Sequence, residues 1–411
     1  MKRQPAPPFI LITLLIDVMG FGMLLPVLPA LVGEFTDSRD AQTYWYGALI
    51  LTFGLTQFFC APVLGALSDR FGRRPVLLAS IFGLGLMFIV SALATSLTGL
   101  LIARIVGGML AANFAVANAY VADLTTPENR ARSFGMVGAA FGIGYIIGPM
   151  VGGLLGTIDI RLPFYVAAAL SVANFLYGWF VVPESLPRER RRPFAWRRAA
   201  PFAALAGLAA LRPVGTLVAV IAVANLGQFI LHGTWVLYTD FRFDWGPREA
   251  GLSLFVVGLM AALVQGALLG VLMRRLGERR LVLAGLASGA IAYAAYGLAT
   301  AGWLMYAIIF ANLLAFAVGP ALHAIVSKAA DPAEQGVSMG ALAALNSLMA
   351  VAAPLIGVPL LAEASHLPAG DWRIGAPFFM SALLALVALA LAARHFARQP
   401  AAAAPPAVPV R

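Results

Sequence analysis

The chain has 411 residues, of which 61% are hydrophobic and only 11% charged, with 41 glycines and 26 prolines. A soluble globular domain carries roughly 25% charged residues, so the composition excludes that class and describes a polytopic membrane protein. The formal charge of +10 suggests nucleic acid at first sight, but basic loops between apolar runs explain it better, and the single cysteine, Cys60, excludes an internal disulfide or a thiolate metal site.

Met1 to Pro8 is a short basic leader. The apolar run after it is too long for the core of a signal peptide and lacks a cleavage site, so it is expected to stay as a helix. A crossing needs about 20 apolar residues. Twelve such runs follow one another, at 9–33, 44–67, 75–95, 97–121, 131–156, 162–182, 214–239, 248–273, 279–299, 303–327, 335–361 and 374–394. Glycine, proline and scattered polar residues interrupt several of them. That is tolerated where helices face each other or a water-filled cavity.

Between the second and third runs lies GALSDRFGRR, Gly65 to Arg74, which packs Asp69, Arg70, Arg73 and Arg74 into six residues. Its acid and arginines suit bonds to neighbouring helix ends, and Gly72 suits a tight reversal. Pro183 to Pro213 carries seven arginines and reads as a linker between two sets of six helices. Near Phe194–Leu211 it is either an amphipathic helix on anionic lipid or a solvated tether. The segment after Gln399 is rich in Ala and Pro and is expected to be disordered. The expected domains are therefore 1–182, 183–213, 214–398 and 399–411.

Orientation follows from the basic residues. With both termini and every even-to-odd loop on the cytoplasmic side, that side holds 22 of the 28 Lys and Arg, the other side five, and Arg104 stays inside a helix. The halves also repeat. Gly65 and Gly270, Gly72 and Gly277, Pro127 and Pro332, Gly135 and Gly340, and Pro149 and Pro354 are all 205 residues apart. Two parallel six-helix halves form the arrangement in which a transported molecule binds near mid-membrane, between them.

Further motifs carry a resemblance. GALSDRFGRR resembles the loop 2–3 signature of the major facilitator superfamily, and Arg104-Ile105-Val106-Gly107-Gly108 its fourth-helix arginine motif. Gly144-Tyr145-Ile146-Ile147-Gly148-Pro149-Met150-Val151-Gly152-Gly153 resembles the fifth-helix motif of exporters working as antiporters. From end to end the chain is similar to the tetracycline/proton antiporters. The stretches that carry this are Asp17–Gly22 with Pro26 and Pro29, Gln57–Gly65, Ala119–Asp123, Arg130–Gly135 and Leu276–Arg280. The resemblance implies an all-α membrane protein of twelve transmembrane helices in two pseudo-symmetric six-helix bundles. It also implies export of an amphipathic, drug-like molecule in exchange for protons. Those exporters carry an acid in the third helix, a histidine in the eighth and an aspartate in the ninth. Here the third helix is uncharged, the eighth has Ala261 and Ala262, and the ninth has Ser288.

Asp17 lies mid-run in the first helix. An ionised acid there costs about 2.5–3.5 kcal/mol on insertion scales, which suits a proton acceptor that loads and unloads as the cavity opens to either side. Arg104 stays charged when buried; it either tunes such a carboxylate or an anionic substrate, or ties two helices. His232 and His323 titrate near neutrality and either stand in for the absent family acids or serve packing. Asp123 is expected to pair with Arg70 or Arg130, and Asp69 with Arg70 and Arg73, as a cytoplasmic gate that forms in one state and breaks in the other. Gln57, Asn113, Asn118, Asn225, Gln228, Gln265, Asn312 and Asn346 are expected on the cavity wall or in interhelical hydrogen bonds. Gly144, Gly148, Pro149, Gly152 and Gly153 give the fifth helix a kink and a smooth packing face.

No GxxxxGK[ST] motif and no His/Cys/Asp/Glu cluster is present, so neither a nucleotide nor a metal cofactor is expected. The expected partners are a small-molecule substrate, protons and the lipid bilayer, with no nucleic acid. A monomer in the bacterial inner membrane is expected, because each chain contains both halves. An uptake carrier or uniporter, and a non-transporting sensor of the same fold, remain as other readings. No catalytic constellation suggests an enzyme.

Overall fold

The structure is a computed structural model that describes residues 8–111, 113–194, 215–329 and 335–398. The amphipathic segment considered near Phe194–Leu211 and the tail after Gln399 therefore lie outside the described residues, apart from Phe194 itself. All elements among the described residues are helical. In the first half they are α1 (Pro8–Met23), α2 (Leu28–Gly33), α3 (Arg39–Phe71), α4 (Arg73–Ala92), α5 (Leu97–Leu110), α6 (Asn113–Leu124), α7 (Pro127–Gly156) and α8 (Leu162–Val181). In the second they are α9 (Gly215–Phe243), α10 (Pro247–Leu263), α11 (Leu269–Leu298), α12 (Gly302–Ala311), α13 (Val318–Ala329), α14 (Gln335–Ala364) and α15 (Ala376–Arg398). Nine helices among the described residues are long and apolar enough to cross a membrane, or ten if the bent pair Gly302–Ala311 and Ala315–Ser327 is one span.

Three expected runs are not single straight helices. The run 9–33 breaks after Met23, where Pro26 offers no N–H and the chain turns through residues 24–27 before α2. The run 97–121 breaks between α5 and α6. The freed carbonyl of Ala111 is satisfied across the bundle by Gln57 Nε2, at 2.8 Å. The run 303–327 bends by 54° between α12 and the turn that leads into α13. Runs eight and nine, by contrast, merge into one 52-residue stretch, Pro247–Leu298. At 1.5 Å per residue that is roughly 78 Å, more than twice a ~30 Å hydrocarbon layer. Its helical path breaks at Gly277, where φ is 72°.

Helix pairing follows the small residues. Helix α1 packs on α7 and α8, α3 on α5, and α4 on α8, while α9 packs on α14 and α15 and α11 on α15. Between the halves, α7 meets α10 and α3 meets α14. The smooth face of α7 makes two of these contacts. A Cβ on Gly148 would sit 2.7 Å from the Met19 carbonyl oxygen of α1, and one on Gly153 would sit 3.0 Å from Gly251 Cα of α10. Only glycine permits such backbone approach.

The apolar core shows how the halves meet. At the end away from Gly65–Arg74 it is one body, joining Met23, Leu31, Tyr46 and Phe164 of the first half to Trp235, Tyr238, Met305 and Phe378 of the second. At the arginine-loop end it divides in two. One cluster holds Ile10, Leu77, Tyr120 and Val137, and the other Leu217, Val282, Leu322 and Phe396. In agreement, a Cβ on Gly135, Gly138 or Gly142 of α7, or on Gly266 or Gly270 opposite, would meet nothing within 4 Å. The halves are joined at one end and parted at the arginine-loop end.

Two arginines, half-buried Arg161 and buried Arg242, hold the joined end. Arg161 Nη1 donates to the carbonyl oxygens of Ala92 and Ala94 at 2.8 Å each, and its Nη2 lies 3.0 Å from Glu34. In the second half Arg242 donates to Ala299 at 3.0 Å, Ala369 at 2.6 Å and Asp371 at 2.7 Å. Both collect carbonyls freed where helices end.

Candidate functional site

The α5–α6 break places Asn113 at the start of α6, against α1. Its Nδ2 donates to Asp17 Oδ2 at 3.0 Å. Asn113 is almost fully buried, and its Oδ1 has no partner among the described residues. Asp17 itself is half-buried, and no cation lies within ion-pairing distance of it among the described residues.

One turn along α1, Phe21 stacks on Phe53 of α3 with ring centroids 5.5 Å apart. The Arg104 guanidinium lies 5.7 Å from the centroid of the same Phe53 ring. Arg104 is 8% exposed, its Nη2 has no hydrogen-bond partner, and it forms no ion pair with Asp17. Asp17 is thus one turn from Phe21 along α1, and Arg104 lies against the Phe53 ring on which Phe21 stacks. Among the described residues no carboxylate forms an ion pair with Arg104. Phe53 was not singled out in the sequence, and Phe21 entered only as part of the stretch Asp17–Gly22, with no role of its own.

In the second half, a cavity of about 60 Å³ is lined by Asn225, Gln228, Tyr293 and His323, under the α12–α13 bend. Asn225 Nδ2 donates to Asn346 Oδ1 at 2.6 Å. Ser288 Oγ donates to Asn312 Oδ1 at 2.9 Å beside the bend. His323 therefore borders a space of its own, apart from Asp17. His232 is half-buried in α9 and is not among the residues that line this cavity. Gln265 is exposed within the π turn Val264–Leu268, and Asn118 is half-buried in α6. Of the polar residues expected on the wall, Gln57, Asn113, Asn225, Asn312 and Asn346 are engaged in hydrogen bonds, while Gln228 faces the cavity. Tyr293 was missed because a tyrosine inside an apolar run reads as packing.

The charged loop has a hub, and it is Arg73. Its Nη1 is 2.6 Å from Asp69 Oδ1 and donates to Ser68 Oγ at 2.6 Å. Its Nε is 3.1 Å from Asp123 Oδ2. Asp123 thus pairs with Arg73 and not with Arg70, which is exposed and lies with its guanidinium 5.1 Å from the Phe71 ring centroid. The reason is the turn. At Gly72, φ is +107°, which swings residue 73 inward, while residue 70 stays on the outer face of the last turn of α3. The side chain of Arg130 lies outside the described residues.

Glu184, in the segment after α8, completes the hub and was missed in the sequence. Its Oε1 accepts from the backbone N–H of Arg73 at 2.9 Å, placing a carboxylate at the N-terminus of α4, where the helix dipole favours it. Arg191 stands 3.8 Å from Glu184, and Ser185 Oγ donates to Asp123 at 3.2 Å. The available signal was a lone acid after proline at the end of an apolar run. Every partner in this network belongs to the first half or the segment just after it. The pairs expected as a gate therefore bind α3, α4, α6 and the segment after α8 into one body in this conformer.

Comparison with known proteins follows the same lines. The sequence profile described as Major Facilitator Superfamily matches residues 10–354. A tetracycline resistance protein of class C from Escherichia coli is 40% identical over 388 residues, covering 94% of this chain and 97% of that protein. A class D tetracycline resistance protein from Salmonella ordonez is 36% identical, covering 92% and 95%. Among solved structures, the human organic anion transporter MFSD10 (TETRAN) has a TM-score of 0.68 at 26% identity, covering 94% of this chain and 98% of that one. A bacterial homologue of the human lysosomal transporter Spinster, in an inward-facing and unoccupied conformation, has a TM-score of 0.73 at 17% identity, covering 97% and 98%.

Proposed function

The chain belongs to the Major Facilitator Superfamily, and on that premise we propose that it is a secondary active transporter exporting an amphipathic, drug-like molecule in exchange for protons by alternating access. The observation that carries this reading is Asp17, an acid without a counter-cation among the described residues, in a molecule whose halves join at one end and part at the other.

Asn113 makes Asp17 a suitable proton carrier. An ionised Asp17 accepts from Asn113 Nδ2, as observed. A protonated Asp17 can donate to Asn113 Oδ1, now without a partner, once the amide turns over. Both protonation states then keep a partner, so neither carries the full penalty of an unpaired group in the membrane. A cationic or hydrogen-bond-donating group on the outbound molecule competes with the proton for the same carboxylate. Such competition is the linkage that gives exchange, whereas mutual stabilisation would give co-transport. Arg104, against the Phe53 ring on which Phe21 stacks, is placed to meet an electron-rich group at the other end of the same molecule. His323 and His232 are secondary candidates for proton coupling.

In this reading residues 1–182 and 214–398 are the two six-helix bundles, 183–213 the linker and 399–411 the tail. The twelve crossings follow if 9–33 counts as one span and Pro247–Leu298 as two. The protein then lies in the bacterial inner membrane as a monomer with both termini cytoplasmic, so the parted end faces the cytoplasm. The names of its relatives put tetracyclines first in any substrate panel and amphipathic organic acids second.

The test uses everted membrane vesicles acidified inside and a pH-sensitive dye. Addition of a tetracycline should release protons from vesicles carrying the wild-type chain, and Asp17→Asn should abolish the release while leaving insertion intact. Release that survives Asp17→Asn would move the proton site elsewhere, with His323→Ala as the next variant.

A further inference from the structure

Arg104 stands well inside α5, roughly 10 Å along the helix from its first residue, Leu97. A guanidinium stays ionised at that depth, and an unpaired charge there is costly. The six apolar runs of the first half contain one acid, Asp17, and it forms no ion pair with Arg104 among the described residues. The titratable group that Arg104 faces is the phenol of Tyr46. The other two buried or half-buried arginines of the bundle ends, Arg161 and Arg242, are satisfied by carbonyl oxygens. Arg104 is 8% exposed, and its Nη2 has neither kind of partner.

Glycines draw the surrounding helices together. A Cβ on Gly108, one turn along α5, would come within 2.5 Å of the Phe53 carbonyl oxygen, so α5 lies directly on α3. This contact sets the Arg104 guanidinium 5.7 Å from the Phe53 ring centroid and beside Tyr46, two turns earlier on the same face of α3. Helix α7 is held against α1 at Gly144, where a Cβ would lie 2.8 Å from the Leu15 carbonyl oxygen. The next residue, Tyr145, is within electrostatic reach of Tyr46. Among the described residues neither tyrosine hydroxyl makes a hydrogen bond. Three helices thus bring one uncompensated guanidinium and two uncommitted hydroxyls to the same place, beside the stacked rings of Phe21 and Phe53.

We propose that Arg104, Tyr46 and Tyr145 form an anion subsite, and that the exported molecule carries a carboxylate or enolate oxygen conjugated to a planar ring. The inference rests on the exporter reading and names the chemical class of its substrate. The guanidinium fork donates to the oxyanion and the two phenols add O–H donors. The phenyl faces take the planar body. Since no carboxylate of the chain pairs with Arg104 among the described residues, the charge is neutralised when the substrate arrives. A bare inorganic anion fits worse, because it leaves those apolar faces uncovered.

The test is binding of tritiated naphthalene-2-carboxylate to the purified full-length chain in lipid nanodiscs, with unlabelled naphthalene-2-carboxamide as competitor. For wild type the carboxamide should compete about tenfold less well, or worse, than unlabelled carboxylate. Arg104→Gln should abolish that preference without lowering the thermal unfolding midpoint, because no ion pair is broken. Arg104→Lys keeps the charge without the fork and should retain part of the preference. Tyr46→Phe and Tyr145→Phe should each weaken carboxylate binding about tenfold. Asp17→Asn should keep the preference. An anion preference in a chain that releases no protons in the vesicle assay would therefore count against exchange and leave the subsite standing. Absent carboxylate binding, equal competition by the carboxamide, or a preference that survives Arg104→Gln would overturn the proposal. So would a midpoint that falls in Arg104→Gln, the mark of a structural tie.

Discussion

The two glycine-bounded loops, Gly65–Arg74 and Gly270–Arg280, share a glycine turn and differ in the charges at the positions that form the first loop's hub. Both turn on a glycine at positive φ, +107° at Gly72 and +72° at Gly277, exactly one repeat apart in sequence. At Gly72 an added Cβ would collide with the Glu184 carboxylate and lie 2.9 Å from Arg191 Nη2, whereas at Gly277 it would meet nothing within 4 Å. The charges also change sign across the repeat. Asp69, Arg73 and Asp123 correspond to Arg274, Glu278 and Lys328, and Glu184 corresponds to Leu389. An acidic residue thus stands in the second half where the first half has its arginine hub. The turn is the shared element, because positive φ with ψ near 160° is a conformation essentially restricted to glycine. The clasp on it in the first half is built around Arg73, where the second half carries Glu278.

This contrast can be broken most strongly at Arg73. Arg73→Ala removes a guanidinium that is 8% exposed and leaves Asp69 and Asp123 facing each other without it. A loss of about 3 kcal/mol is expected, read as a fall in the thermal unfolding midpoint of the detergent-purified protein. Arg70→Ala, outside the hub, should leave the midpoint nearly unchanged. The next effect separates the glycines. Gly72→Ala and Gly277→Ala both meet a backbone cost of about 1–3 kcal/mol, but only Gly72→Ala also displaces Glu184, so it should be the more damaging in the same assay. Equal effects would show that the clasp contributes nothing. The smallest effect lies at the opposite end. Arg373 bonds the Asp371 carboxyl and holds it at about 2, well below the usual carboxylate range. Its contribution is complete above the ordinary aspartate value, near 4, and is lost as pH falls toward 2. Asp371→Asn should therefore lower the neutral region of a pH–stability curve slightly and flatten its acid limb, so that the variant and wild type converge as pH falls toward 2.

Much of this was legible in the sequence, for reasons that can be named. Membrane-length apolar runs and the 205-residue offset are long-range patterns, and they gave the helical class and the paired turns. Asp17 was legible because an acid in an apolar run has few structural excuses. The breaks at 24–27, after Leu110 and at 312–314 were not, because carbonyls freed by a break can be satisfied by a distant side chain such as Gln57, and that pairing has no local signature. Arg73 could not be told from Arg70 by composition. Their difference arises from one φ value at Gly72, which turns one arginine inward and leaves the other outside. Glu184 was hidden for a similar reason, being 111 residues from the backbone N–H that it caps.

The account depends on two ends that open in opposition, driven by the proton on Asp17. The most direct measurement is pulsed dipolar EPR on two doubly labelled chains in a Cys60→Ser background. One carries labels at the exposed Arg70 and Arg275, across the parted end, and the other at the exposed Tyr44 and Trp303, across the joined end. Moving from alkaline to acidic pH should shorten one distance while lengthening the other, and Asp17→Asn should hold both distributions fixed. Distances that change together at both ends, or that respond to pH equally well in Asp17→Asn, would contradict it.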